Sequence, residues 1–420
     1  MLDTSLVDPF LSTAVPLDRN KAFLLRFFCD ALIQQLHWIP SFSTYHNQYI
    51  VTSAVRNPLL LYSILCRTSV EFAAGGGKLP DRVIECATNI DDGAAKAVVT
   101  DFADFRLQLE RQLSEEFEQV PQDNAMTAMA LLVRAETING TSESVSRKIQ
   151  YLQSVKSTAA DLSRYPPEVM LPVTTSLYLG CAVTQQIPPF APPDVASLSP
   201  ELFNACPAEL LMFCSAFEDL SMVDVLGDSI LRCMRSLRQA LLFKHMCSRG
   251  YATASLSQYA LITHLQQSAE YYLMALPSKE TLSERQEVSR LTILIATMTT
   301  NIAFEAEFLY ARALADQLRK ALSAGIDKMR REGSKPVRPS HFIWCCFIGA
   351  FISRNAKERS WFVLRLARVC SDAKVAGIAR MRQWVSQYIY FETLHGEALQ
   401  DVWREMEMIA ETFGIALAST

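Results

Sequence analysis

Glycine is scarce in this chain. It occurs 14 times in 420 residues, while half of all residues are hydrophobic and one fifth are charged. Phosphate loops, dinucleotide-binding turns and tight hairpins all consume glycine, because only glycine enters positive φ without steric cost. A chain this apolar and this poor in glycine is expected to pack helices on helices. Its hydrophobicity also excludes disorder over most of its length. The formal charge of −4 leaves no basic footprint for nucleic acid.

The eleven cysteines are scattered and no CxxC occurs, which excludes the common structural zinc spacings. Buried, reduced thiols are expected. Asp3 and Asp8 interrupt the start of the chain, so no secretory signal is expected there. The longest apolar run, Phe342 to Ile352, is too short for a bilayer. The expectation is a cytoplasmic protein with no membrane span.

Helical periodicity dominates. Residues 20–38 place Leu25, Phe28, Cys29, Leu32 and Leu36 on one stripe, with Asp18 as the N-cap. A second helix starts at Asn57-Pro58, with proline in its first turn, and ends before the loop at 75–80. Residues 94–119, 123–137 and 144–163 read as further helices. The alternating β-branched runs of a sheet are missing. The expected fold class is an all-α multi-helix array. Nine of the eighteen prolines lie between Pro166 and Pro207. That shift divides the chain into an N-terminal helical half (1–165), a proline-rich crossover (166–207) and a C-terminal helical half (208–420). A second break falls at 331–340.

Several segments together resemble the fungal-specific transcription factor domain, the helical regulatory domain that follows a binuclear zinc cluster. They are DPF (8–10) with VPLD (15–18), NPLLLYSILCRTSVEF (57–72), LLVRAETINGTSE (131–143), IPPF (187–190), NACPAELL (204–211) and HFIWCCFIGAFISRNAKERSWFVLRL (341–366). The last is the most specific, through Trp344, Gly349, Arg359, Trp361 and Phe362. The sequence departs from the family where SVSRKIQYL (144–152) replaces a stretch that often holds Trp and His. The six closely spaced cysteines of the zinc cluster are also absent. The resemblance therefore implies the helical domain without its DNA reader, acting as a nuclear regulator or co-regulator through helix-mediated association. The chain also resembles, in size and class, the atypical fungal humulene synthases, which are standalone helical proteins. That resemblance implies a class I sesquiterpene cyclase acting on farnesyl diphosphate with Mg²⁺, and an isoprenyl diphosphate as substrate. A homodimer is compatible with either.

Class I cyclisation needs oxygen ligands for Mg²⁺, cations for the departing diphosphate and a dry aromatic pocket. Two segments supply candidates. In 215–239, a continuous helix would set Asp224, Asp228, Arg232 and Arg235 within an arc of about 80°. The two acids are candidate metal ligands and the two arginines candidate diphosphate ligands. The same spacing also suits an ordinary Asp228–Arg232 surface ion pair. Glu218 and Asp219 stand close enough in sequence to replace either acid. In 290–310, a continuous helix would stack Thr297, Asn301 and Glu305 as three further oxygen ligands. This resembles the Asn/Ser/Glu triad of class I cyclases with hydroxyl and amide exchanged. A hydrogen-bonded core asparagine and a helix-end glutamate fit that pattern equally. The Asp91-Asp92, Asp101 and Asp104 cluster is a third acidic group, which lacks DDxxD because Ala95 stands at its last position. HExxH, GxSxG and glycine-rich phosphate loops are absent.

Overall fold

The computed structural model describes residues 13, 15–33, 40–74, 104–112, 122–154, 167–192, 198–204, 206–219, 222–301, 308–333, 338–354 and 356–418. Among these every regular element is helical and no strand occurs. The chain divides into two compact units at Thr184/Gln185.

The first unit contains α1 (Arg19–Phe27), α2 (Pro40–Ala54), α3 (Pro58–Ala74), α4 (Gln122–Asn139), α5 (Ser142–Ser154) and α6 (Pro167–Thr184). The Asp18 carboxylate accepts the Lys21 N–H at 2.9 Å and starts α1, as its type and position predict. Beyond Phe27 the chain widens into a π-helical turn, Phe28–Leu32. Leu25, Phe28 and Leu32 of the predicted stripe are buried. Asn57 caps α3 by accepting the Leu60 N–H at 3.1 Å. α4 is buried along most of its length and packs on α3, α5 and α6. The proline-rich stretch is not a single connector. Its first part is α6, with Pro167 in the first turn and Pro172 inside the helix, and it belongs to the first unit. The loop at 75–80 lies outside the described residues, as does most of the 94–119 helix except 104–112.

The second unit begins with three short 3₁₀ turns, then continues through α7 (Val223–Ser248), α8 (Leu256–Lys279), α9 (Glu284–Thr299), α10 (Leu309–Glu332), α11 (Pro339–Ile352), α12 (Glu358–Asp372), α13 (Gly377–Val385) and α14 (Glu392–Phe413). Capping boxes start α8 and α9: Ser255 with Gln258, and Ser283 with Gln286. Each exchanges two bonds between side chain and backbone, satisfying two of the free N–H groups at a helix start. Gly333, at φ 62°, closes α10.

α7, α8 and α9 form an up-down-up bundle. Gln266 of α8 donates to the Thr297 carbonyl near the end of α9, and Arg290 of α9 donates back to Leu273 of α8. α11 is the central helix of the remainder and packs on α9, α10, α12, α13 and α14. Its residues Ile343 to Ala350 are buried without interruption. No described helix is long and apolar enough to cross a membrane. The ten described cysteines are unbridged. Burial pushes the thiols of Cys345 and Cys370 up to about 12, so they act as small core side chains.

Candidate functional site

The residues proposed for metal and diphosphate lie on α7 and at the end of α9. The 215–239 segment is not one helix. Residues 215–218 form a 3₁₀ turn, and α7 is interrupted at Gly227, whose φ of 73° and ψ of 160° are not helical. Asp224 precedes this break and Asp228 follows it. Their i,i+4 stacking therefore fails, because that geometry requires continuous helical φ/ψ between them. The φ of Gly227 demands glycine there, while the Gln286 amide that a side chain would meet is the end of a flexible side chain.

Beyond the break, Asp228, Arg232 and Arg235 are exposed along regular helix. The surface ion pair between Asp228 and Arg232 does not form among the described residues. The neighbouring acids are committed elsewhere. Glu218 pairs with Arg238, and Asp219 pairs with Arg338.

α9 ends at Thr299, so Thr297 and Asn301 do not share a continuous helix face. The Thr297 hydroxyl is buried and donates to the Ile293 carbonyl at 2.7 Å, the ordinary back-bond of a helical threonine. Asn301 sits in a turn, with its N–H on the Met298 carbonyl. Glu305, Asp91, Asp92 and Asp101 lie outside the described residues.

Asn301 does accept a cation, but from the protein. Lys244 of α7 donates from Nζ to Asn301 Oδ1 at 2.5 Å, to the Thr300 carbonyl at 2.5 Å and to Thr300 Oγ1 at 3.2 Å. Three acceptors saturate an ammonium. Lys244 lies about 24 Å further along α7 than Asp228, at 1.5 Å rise per residue. Asp228 and Asn301 therefore stand at opposite ends of the same helix pair. Asp228, Thr297 and Asn301 do not converge on one point. No group of three or more His, Cys, Asp or Glu suited to a metal occurs among the described residues.

What the structure does assemble is a buried polar cluster. Lys244, Gln266 and Glu270 join the end of α9, and Glu270 is only 3% exposed. Gln266 Nε2 donates to the Thr297 carbonyl at 2.9 Å and to Thr300 Oγ1 at 3.0 Å. Glu270 Oε1 and Gln266 Oε1 have no hydrogen-bond partner among the described residues. Burial lowers the Lys244 ammonium to about 7, against a smaller opposing pull from Glu270. Burial raises the Glu270 carboxyl to about 8, opposed by Lys244 and Gln266. Both groups thus titrate close to neutrality.

Sequence reasoning missed this cluster, although one signal was present. Lys244 continues the stripe of Leu237, Ala240 and Leu241 at i+3, i+4 and i+7, the buried face of α7. A second pair of buried titratable groups, His245 and His395, stands among Phe213, Phe347 and Phe391. Burial lowers them to about 4 and about 3, with the Arg249 guanidinium adding to the effect at His245. Both are neutral near pH 7.

The segment that most resembles the regulatory domain is used for packing. Trp344 donates Nε1–H to the Ile389 carbonyl at 3.2 Å and stacks on Tyr388, with centroids 5.0 Å apart. Phe217 meets both rings edge-on. Gly349 faces the Phe362 ring so closely that a Cβ would fall 2.2 Å from it. Arg359 binds both Glu405 oxygens and donates Nη1–H to the Ala350 carbonyl at 2.8 Å, joining α11, α12 and α14. The first-unit segment 131–143 behaves alike. Buried Glu136 pairs with Arg106 at 3.2 Å and accepts Ser144 Oγ–H at 2.5 Å, holding the corner between α4 and α5.

No family model, no curated protein and no solved structure matches the chain.

Proposed function

We propose that this chain is a non-catalytic helical regulator, acting in the nucleus by association with other proteins rather than by turning over a substrate. One observation carries this reading. Asp228 and Asn301, the most specific acid and amide of the cyclase pattern, stand about 24 Å apart along α7, and the Asn301 oxygen is already engaged by Lys244. The residues of the 341–366 segment support the same reading, since Trp344, Gly349, Arg359 and Phe362 are absorbed by the core. They build a scaffold.

The competing reading is a prenyl diphosphate cyclase. It retains Asp228, Arg232 and Arg235, which are exposed on regular helix. One pair of measurements decides between them. Purified protein incubated with farnesyl diphosphate and Mg²⁺ is expected to release no hydrocarbon; a cyclic product in the headspace overturns the regulatory reading. Deleting the gene in its source organism is expected to change transcript levels of a defined gene set. An Asp228→Asn copy, altered only at an exposed side chain, is expected to restore them.

A further inference from the structure

A pocket opens in the second unit between α7, α9, α10 and α11. Its space is about 450 Å³ when the volume open to solvent at its mouth is included, so it is a shallow, open recess and not an enclosed cavity. Val288, Leu322, Met329 and Phe342 form apolar walls. The polar lining is Arg285, Arg338 and His341, and no acidic residue lines it.

The charges there are unbalanced. Arg285 makes no ion pair among the described residues, and the two acids nearest it in sequence are occupied. Glu284 pairs with Lys328 and Glu287 with Arg290, each at 2.7 Å. Arg338 meets a single carboxylate, Asp219, which is not part of the lining. The His341 ring is buried, with Nε2 3.3 Å from Ser289 Oγ, and burial keeps it neutral near pH 7. A half-buried guanidinium over apolar walls is a site for an anion carried on an apolar body.

Gly325 supplies an independent observation. It lies inside α10, where glycine weakens a helix. Here φ is helical, and a Cβ would meet only Val288 Cγ2, at 3.9 Å. Neither packing nor backbone conformation calls for glycine at this position. Its effect is to leave that wall of the pocket open.

We propose that this pocket binds an amphipathic anion, an aliphatic chain ending in a carboxylate or phosphate, with its head on Arg285 and Arg338 and its chain along Val288, Leu322 and Phe342. The proposal is independent of the regulatory reading, because it concerns binding alone. Two sources share the chemistry, a fatty carboxylate and a prenyl phosphate.

Isothermal titration of the full chain with decanoate, decanol and farnesyl phosphate tests it. Decanoate is expected to bind at least tenfold more tightly than decanol, and the stronger of decanoate and farnesyl phosphate identifies the source. Arg285→Gln is expected to erase the preference for decanoate over decanol without altering decanol binding. Gly325→Leu is expected to abolish binding of all three, with folding checked by urea titration. Should Gly325→Leu fail to fold, Arg285→Gln decides, since its side chain is half-exposed. Equal affinity for decanoate and decanol, no binding by the unaltered protein, or an unchanged preference in Arg285→Gln would overturn the proposal.

Discussion

Replacing glycine by alanine at two helix-interior positions of the second unit is expected to give opposite results. In each case alanine improves intrinsic helix propensity by about 1 kcal/mol. At Gly325 almost nothing opposes that gain, because the added methyl lies 3.9 Å from its nearest neighbour. Gly325→Ala is therefore expected to stabilise the unit by ~0.5–1 kcal/mol. At Gly349 the methyl would fall 2.2, 2.4 and 2.6 Å from three carbons of the Phe362 ring. Ordinary contact requires that ring to retreat by more than an ångström. Phe362 is fully buried and meets Trp361 edge-on at 5.1 Å, so its retreat disturbs the core. Overpacking of this kind costs ~1–3 kcal/mol, and this contact belongs at the upper end. After subtracting the propensity gain, Gly349→Ala is expected to lose about 2 kcal/mol. The assay is urea unfolding followed by tryptophan emission. Four of the five tryptophans, Trp344, Trp361, Trp384 and Trp403, lie in the second unit, so the signal reports mainly on it. Midpoints displaced in the same direction for both variants would refute the reasoning.

Further outcomes follow from the buried polar groups. The Glu270 carboxyl titrates near 8 in the folded protein and near 4.5 unfolded, so the folded state holds the extra proton between those values. The Glu270 contribution to stability is expected to fall as pH rises from about 4.5 to 8, and Glu270→Gln is expected to remove that fall in urea titrations between about pH 4.5 and 7, below the range where Lys244 acts in the opposite sense. Lys244 titrates near 7 folded and near 10.5 unfolded, so its contribution rises with pH between those values. Lys244→Met is expected to remove that rise, and it is checked in the same titrations. Arg359→Lys retains the charge but cannot span Glu405 and the Ala350 carbonyl together. A loss of ~1–3 kcal/mol in urea unfolding is expected, and a change below 0.5 kcal/mol would contradict the bridging role given to Arg359.

Local signals were readable along the chain because their causes lie within a few residues. Asp18 caps α1 through Lys21, and Asn57 caps α3 through Leu60; both bonds close over three residues. Ser283 and Gln286 are a capping box spelled out in sequence, yet the 290–310 reading began α9 six residues too late and carried it past its end. Thr299 to Asn301 contains neither glycine nor proline, so nothing local marked that end. It is fixed by Lys244 and Gln266, which reach it from other helices. The same distinction explains Gly227. A glycine inside a periodic segment is compatible with either an intact helix or a break, and its neighbour across the bundle, Gln286, is remote in sequence.

The amino-acid sequence by itself determined that the regular elements among the described residues are helices, that α1 and α3 begin at Asp18 and Asn57, and that the core is aliphatic and aromatic. These depend on periodicity and on contacts within one turn. The tertiary structure decided which polar residues meet. It separated Asp228 from Asn301 by the length of a helix and gave Asn301 to Lys244. It also enclosed Glu270 and left the Arg285 guanidinium over an apolar pocket. Helical spacing ranks residues around a single axis. Whether two such faces look into the same space depends on where each helix starts, breaks and stops against its neighbours, and those limits are set by side chains far away in the chain.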